Sequence, residues 1–407
     1  MPSIAESSLV SLEFWAEPQE ERDKLFAALR AAKEPVFCPI PDEPGFYAIT
    51  RYAEVAAASR DPQVFSSQPT AVSLVDPPPQ VAPYSGSMIS LDDPRHARLR
   101  RIVSRSFTPR LVQRVAGDVA VLARRIVDEL AERGPCDFVE HVAMPMPLQI
   151  ICSMMGIPAS AYDDVIDATN VIIAIGDPDF TDPGGKDRAT VLTEKFSFLH
   201  ALMADLGRLR RENPAEDLVT ALTHANVDGE ALDDLDLGRF FALLVVAGNE
   251  TTRNALSHAL NLLTDHPEQR DVLLADLDAR LPAAVEEIVR YSTPVTWMRR
   301  TLTRDHDLGG HTYRAGDRLI LYYNSANRDE SAFEDPQTFD IRRSPNPHFG
   351  FGAPGPHFCL GAHLARREIT VMLRELYTRL PGLHATAPPV RQRASFIHGI
   401  KSLPCAF

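Results

Sequence analysis

Cysteine is scarce in this chain of 407 residues, with only Cys38, Cys136, Cys152, Cys359 and Cys405. Their odd number and scattered spacing argue against a disulfide framework or a cysteine-rich metal cluster, and for a reducing compartment. Long apolar runs are also missing: none approaches the roughly 20 residues of a membrane span. Residues 1–15 have neither the basic nor the long apolar region of a signal peptide. The expectation is a soluble, cytoplasmic protein without a membrane anchor. Basic residues are outnumbered, 42 Lys and Arg against 55 Asp and Glu, and the net charge of −13 disfavours nucleic acid as a partner. There is no internal repeat and no low-complexity block. Apolar residues make up 44% of the chain, enough for a large core, and length alone suggests about two or three domains.

Periodicity predicts an amphipathic helix over 20–32, a strand over 46–50 and a short helix over 53–59. Residues 66–87, rich in proline and small side chains, read as a long loop, which in a compact fold is usually functional. Asp92-Asp93-Pro94 has the form of an N-cap with proline at the first helical position. It opens a basic helix containing His96, Arg98, Arg100, Arg101 and Arg105. The middle of the chain is helical, with breaks at Pro145, Pro147, Pro158 and over 176–185. The longest periodic segment, 235–265, measures about 45 Å if unbroken. A shorter helix over 281–291 follows, then strand-like stretches over 299–303 and 318–323, with Gly309-Gly310 as a turn.

The most unusual stretch runs from His348 to Arg366. Gly350, Gly352 and Gly355 allow sharp bends and close approach to a flat partner, and Pro354 and Pro356 limit flexing. The loop delivers Cys359 to the start of a helical pattern that begins at Leu360, where amide groups and the helix dipole favour a thiolate. A lone cysteine is more often structural than chemical. Its neighbours reverse that reading: the segment resembles the heme-binding signature of the cytochrome P450 family, Phe-x-x-Gly-x-His/Arg-x-Cys-x-Gly. Gly355, His357, Cys359 and Gly361 match in spacing, and Phe351 stands one residue further from the cysteine than in the commonest form. The resemblance implies heme b, an axial Cys359 thiolate that favours O–O cleavage, and Phe351, His357 and Gly361 around it.

Within 235–265 an apolar run, Phe240 to Val246, gives way abruptly to Ala247-Gly248-Asn249-Glu250-Thr251-Thr252. Burying such polar groups without partners costs a few kcal/mol. One reading is a helix kink in which Thr251 bonds back to a carbonyl one turn earlier. The block also resembles the family's Ala/Gly-Gly-x-Asp/Glu-Thr motif. That implies a helix loosened over the heme, Ala247 and Gly248 leaving room for O₂ and substrate, Glu250 relaying protons and Thr251 supporting bound O₂. Glu287 and Arg290, at i, i+3, would alone be a solvated pair worth about 0.2–0.5 kcal/mol. They resemble the family's Glu-x-x-Arg motif, a buried structural pair completed here by Arg343. His96 and Arg100 share one helical face and resemble the His-x-x-x-Arg that contacts heme propionates. His357 and Arg300, or its neighbour Arg299, match other propionate-binding positions, where arginine suits a carboxylate.

The resemblance extends from the Asp92 helix through Ala326-Asn327-Arg328-Asp329 to the Cys359 helix. It is strongest to soluble actinobacterial members acting on steroids, terpenoids and methyl-branched lipids. It implies a mainly α fold with a small β portion, a triangular prism holding heme between the long central helix and the cysteine helix, and one domain over 1–407. The implied activity is insertion of one atom of O₂ into an unactivated C–H bond of a lipophilic substrate. With no flavin or iron–sulfur motif left in the chain, electrons would come from a ferredoxin served by an NAD(P)H-dependent ferredoxin reductase. A monomer is expected. Two alternatives stay open: a natural-product tailoring oxidase, and a heme sensor without turnover, for which a Glu250-Thr251 proton route has no use. Val245, Val246, Val295, Trp297, Phe396 and Ile397, with the 66–87, 171–180 and 295–298 segments, are the candidate substrate-pocket residues.

Overall fold

The computed structural model describes residues 9–174, 176–180, 182, 184–225 and 231–407. The other positions touched by the leader, loop and pocket readings, residues 1–8, Ile175, Thr181 and Pro183, lie outside the described residues.

The N-terminal part alternates short helices and strands: α1 (Gln19–Ala31), the hairpin β1 (Val36–Ile40) and β2 (Glu43–Ile49), α2 (Tyr52–Arg60) and β3 (Phe65–Ser66). Helices then dominate: α3 (Arg95–Ser106), α4 (Pro109–Arg133), the short strand β4 (Cys136–Asp137), α5 (Pro145–Met155), α6 (Arg188–Glu212) and α7 (Asp234–Asp265). After α8 (Leu277–Ser292) come β5 (Trp297–Leu302), the hairpin β6 (His306–Leu308) and β7 (His311–Tyr313), and β8 (Arg318–Tyr322). The cysteine loop leads into α9 (Ala362–Arg379), and the chain ends in β9 (His384–Ala385), β10 (Val390–Arg391), β11 (Ile400–Ser402) and β12 (Pro404–Ala406).

The five-stranded sheet has the order β1-β2-β8-β5-β3, with β2 and β8 parallel and the other neighbours antiparallel. Helix α7 is its counterpart in the helical layer. Asp233 caps it by accepting from the Asp236 amide at 2.6 Å. It is buried on every side from Asn254 to Leu263, as befits a helix in the middle of a core. It packs against α5, α6, α8 and α9, and Thr252 of the polar block reaches Glu368 on the helix that follows the cysteine.

Proline accounts for three departures from the expected elements. Pro145 and Pro147 lie within the first turn of α5, where the missing N–H has no helical partner to lose. Helix α8 starts at Leu277, before Pro282, with Asp276 capping the Ala279 amide at 3.2 Å. Pro94 precedes α3 as its cap residue and the cap makes no side-chain bond. Asp92 turns instead to the Ser67 amide (2.8 Å) and the Ser66 hydroxyl. The 66–87 loop also contains a helical turn at Ala82–Ser85. The cysteines are less scattered than their spacing suggests: Cys136 and Cys405 are directly opposed on β4 and β12, both as free thiols.

Candidate active site

The loop before α9 is held by its own backbone. The Cys359 amide donates to the Phe351 carbonyl at 2.9 Å, and the Gly352 amide to that of Phe349 at 2.8 Å. Gly355 has φ +155°, and a Cβ there would come within 2.1 Å of the Ser59 carbonyl. Glycine is required at that point because the loop lies directly on α2. Gly361 caps α9, and a Cβ added to it would meet nothing within 4 Å.

Cys359 is part-buried, and its thiol does not follow the expectation from helix position alone. Burial pushes it above the ordinary thiol range. The amides of Gly361 and Ala362 and the guanidiniums of Arg100 and Arg366 pull the other way but do not prevail. A metal bond would make the thiolate the stable form.

The cationic residues gather beside this loop. Arg100 donates to the Phe358 carbonyl at 2.6 Å. The rings of His96 and His357 are in contact, centroids 4.1 Å apart and planes inclined at 31°. His357 hydrogen-bonds with the Ser67 hydroxyl at 3.1 Å and the Leu91 backbone. Burial, then Arg300, His96 and Arg100, push it down to about 2, so it is neutral at ordinary pH. Strand alternation separates the two candidate arginines. Arg299 pairs with Asp76 at 2.8 Å. Arg300, only 3% exposed, donates to the Arg299 carbonyl at 2.8 Å, and no described carboxylate is within ion-pair reach of it. A buried guanidinium lacking a carboxylate calls for an anionic ligand.

Across from the loop, α7 is continuous through the polar block. The loosened turn implied by the motif takes the form of a side-chain bond, Thr251 Oγ1 donating to the Ala247 carbonyl at 2.9 Å. Ala247 is exposed in the middle of an otherwise buried helix, and Leu243, Leu244 and Thr251 share its partly open face; Gly248 turns toward α5, where a Cβ would come within 2.8 Å of Ile151 Cδ1. Glu250 points elsewhere. One carboxylate oxygen accepts from Arg253 at 2.6 Å and Asn254 at 2.7 Å, while the other is buried without a partner. An open helix face, an unobstructed Gly361 and a cationic cluster containing an unpaired buried arginine together fit a flat, dianionic cofactor.

Glu287, Arg290 and Arg343 also meet. Arg290 donates to Glu287 twice at 2.8 Å, and Arg343 reaches the same carboxylate at 3.2 Å. Two pocket expectations need correction. Val245 is fully buried, because it lies about 200° around the helix from Ala247 and packs into the main core. Trp297 is 1% exposed and packs with Phe396, ring centroids 4.9 Å apart, in the aromatic cluster of Trp15, Phe26 and Tyr322. The alternation that sends Trp297 there puts Met298 on the Arg300 face. Val246 is part-buried against the main core, and Val295 and Ile397 face each other across an isolated bridge. Sequence reading missed Ser67, Glu286, His348, Arg366 and Glu368. Glu286 directly precedes the Glu-x-x-Arg pair and Arg366 lies two turns past Cys359, but no local pattern marked Ser67. A surface cavity of about 430 Å³ lies elsewhere, between α1, α2 and Asp329–Ser331, where Arg30 and Arg51 are already paired with Glu330 and Glu54.

Residues 188–380 match the family model Cytochrome P450. The chain is 48% identical to a methyl-branched lipid omega-hydroxylase of Mycobacterium tuberculosis, covering 98% of this chain and 94% of that one. The chain belongs to the cytochrome P450 family. It is also 38% identical to a steroid C26-monooxygenase of Mycolicibacterium smegmatis, over 88% of this chain and 82% of the relative. A Mycobacterium marinum cytochrome P450 solved in complex with pseudoionone superposes with a TM-score of 0.91 at 42% identity, covering 97% of both chains. As a cytochrome P450 the protein is a monooxygenase that binds heme b. No helix among the described residues is long and apolar enough to cross a membrane.

Proposed function

We propose that this cytochrome P450 hydroxylates a methyl-branched or isoprenoid lipid, with Cys359 as the axial heme ligand and a ferredoxin as electron donor. The observation that carries the cofactor placement is Arg300, a buried guanidinium beside the cysteine loop with no carboxylate of the described residues in ion-pair reach. Arg100, Arg300, His96 and His357 would hold the two propionates, the histidines as neutral hydrogen-bonding partners. Heme bound through Cys359 supplies O₂ activation. The chain's own residues then govern access, water and protons.

Thr251, bonded to the Ala247 carbonyl, offers a hydroxyl on the open face of α7. Glu250, one residue earlier, would relay a proton to it only by swinging away from Arg253 and Asn254, which hold it in the resting arrangement. The open face made by Leu243, Leu244 and Ala247 carries no charged side chain, and Val295, Met298 and Ile397 are the apolar residues that would complete the pocket with it. Affinity there would come from apolar burial, at about 25 cal/mol per Å² removed from water. Likeness to relatives named for methyl-branched lipids and steroids supports the same substrate class.

The test has two arms. Cys359→His is expected to retain heme but lose the red-shifted Soret band of the ferrous carbon monoxide complex; persistence of that band would exclude Cys359 as the ligand. Methyl-branched fatty acids and isoprenoid ketones are expected to move the ferric heme of the native enzyme from low to high spin, tightening with apolar area. A response confined to polar polycyclic compounds would favour the tailoring-oxidase reading.

A further inference from the structure

Next to Phe351, a chain of hydrogen bonds links α8, the cysteine loop and α9 and is unused by the mechanism above. Glu286 of α8 accepts from Arg366 of α9 through both oxygens, Nε to Oε1 at 2.6 Å and Nη2 to Oε2 at 2.8 Å. His348 Nδ1 accepts from the Gly350 amide at 3.0 Å. Its Nε2 is therefore free to donate to Glu286 Oε2, 3.1 Å away. So clamped, the Arg366 guanidinium lies over the Phe351 ring at 4.2 Å, a cation–π arrangement. The Phe351 carbonyl accepts from the Cys359 amide. The loop reaches α8 this closely because residue 350 is glycine: a Cβ there would come within 2.5 Å of Val289 Cγ1.

We infer that Glu286 and Arg366 are positioning residues that hold a fixed positive charge next to the Cys359 sulfur and so raise the reduction potential of the bound heme. The inference rests on Cys359 being the ligand. One-electron reduction adds negative charge at the iron–sulfur unit, and a nearby cation stabilises the reduced form. Arg366 is exposed enough, 31% for its side chain, that without Glu286 its long side chain would turn into solvent. Burial alone would raise the Glu286 carboxyl, but the bonds from Arg366 and His348 hold it down to about 2, so the clamp is charged throughout the working pH range.

Two effects of Glu286 have opposite signs, which makes the experiment decisive. If its own charge were felt at the heme, neutralising it would raise the potential; if it acts by holding Arg366, neutralising it lowers the potential. Spectroelectrochemical titration of the purified holoenzyme would compare wild type with Glu286→Gln, Glu286→Asp and Arg366→Met. The expected result is a downward shift in Arg366→Met, a smaller one in Glu286→Gln, and recovery toward wild type in Glu286→Asp. A rise in Glu286→Gln, or an unmoved potential in Arg366→Met, overturns the inference, and Arg366→Met answers the question if the Glu286 variants fail to fold. The ferrous carbon monoxide spectrum of the wild type separates the two layers. Without the thiolate band the Cys359 assignment falls and takes this inference with it; with the band present and potentials unmoved, only the positioning role falls.

Discussion

Arg290 and Glu287 form a two-pronged ion pair, each bond 2.8 Å long, in which neither side chain has any exposure. The desolvation of both charges is offset by a full set of partners. Glu287 also accepts from the Asp340 amide at 3.0 Å and from Asn346 at 3.1 Å. Arg290 also donates to the carbonyls of Asn327 and Pro336, both at 2.9 Å. Such a pair adds little net stability over an apolar pair, but it is costly to break on one side.

Glu287→Gln is therefore expected to lower unfolding stability by about 3–5 kcal/mol, because it strands Arg290 and Arg343 without their counter-charge. Urea unfolding of the holoenzyme measures this. A loss below about 1 kcal/mol would mean that the pair is far better solvated than its burial indicates.

Thr251→Ala should leave ligand binding nearly intact, since the hydroxyl is one small group on an apolar face. Turnover should divert electrons to hydrogen peroxide, because the proton-bearing group at the open face is gone. The ratio of product to NAD(P)H consumed is the measurement. Full coupling in the variant would count against the role.

Glu368 on α9 is 3% exposed; burial raises its carboxyl to about 8, against the opposing pull of its hydrogen bond with Thr252. The folded value lies above the ordinary one, so the folded state holds a proton that the unfolded chain releases. The associated stability is complete below about pH 4.5 and is lost as pH rises through about 8. Glu368→Gln, which cannot titrate, should gain on the wild type across that window, by at most about 1.4 kcal/mol per pH unit. Parallel stability curves for the two proteins would place the carboxylate in a polar setting instead.

Docking of a ferredoxin would be guided by the exposed Arg101, Arg105 and Arg367 around the cysteine side, near Phe358, which is 37% exposed. Exposed charges are screened over about 8–10 Å at physiological salt. The association rate should fall as salt rises, and Arg105→Glu should flatten that dependence. Stopped-flow reduction at several ionic strengths would reveal an insensitive rate if docking lies elsewhere.

Features encoded within short segments were legible in the sequence. The apolar period of α7, the Gly/Pro loop ahead of Cys359, the abrupt polar block at Ala247–Thr252 and the Glu-x-x-Arg spacing each depend on residues within a few turns of one another. Local bonding and steric rules act at that range. The prolines of α5 misled because they sit in its first turn, where proline does not stop a helix; Pro282 lies six residues into α8, and the helix runs through it at the cost of one backbone bond because its apolar face is packed in the core.

Contacts between distant segments were decided only by the tertiary structure. Arg299 and Arg300 are indistinguishable as neighbours in sequence; Asp76, brought in by the 66–87 loop, neutralises one and leaves the other. Trp297 looked like a pocket wall because it is large and apolar, yet strand alternation turns it toward Trp15 and Phe26. Ser67 reaches His357, Glu286 reaches Arg366, and Thr252 reaches Glu368 across separations that no local pattern records. The Cys359 thiol makes the same point: its place before a helix was readable and favours a thiolate, but the burial that outweighs those amides comes from the surrounding fold. Sequence determined which groups could do chemistry here, because side-chain identity and local spacing are written in it. Only the folded structure decided which of them are buried, paired or left without a counter-charge, because desolvation and long-range pairing exist only once the chain has packed.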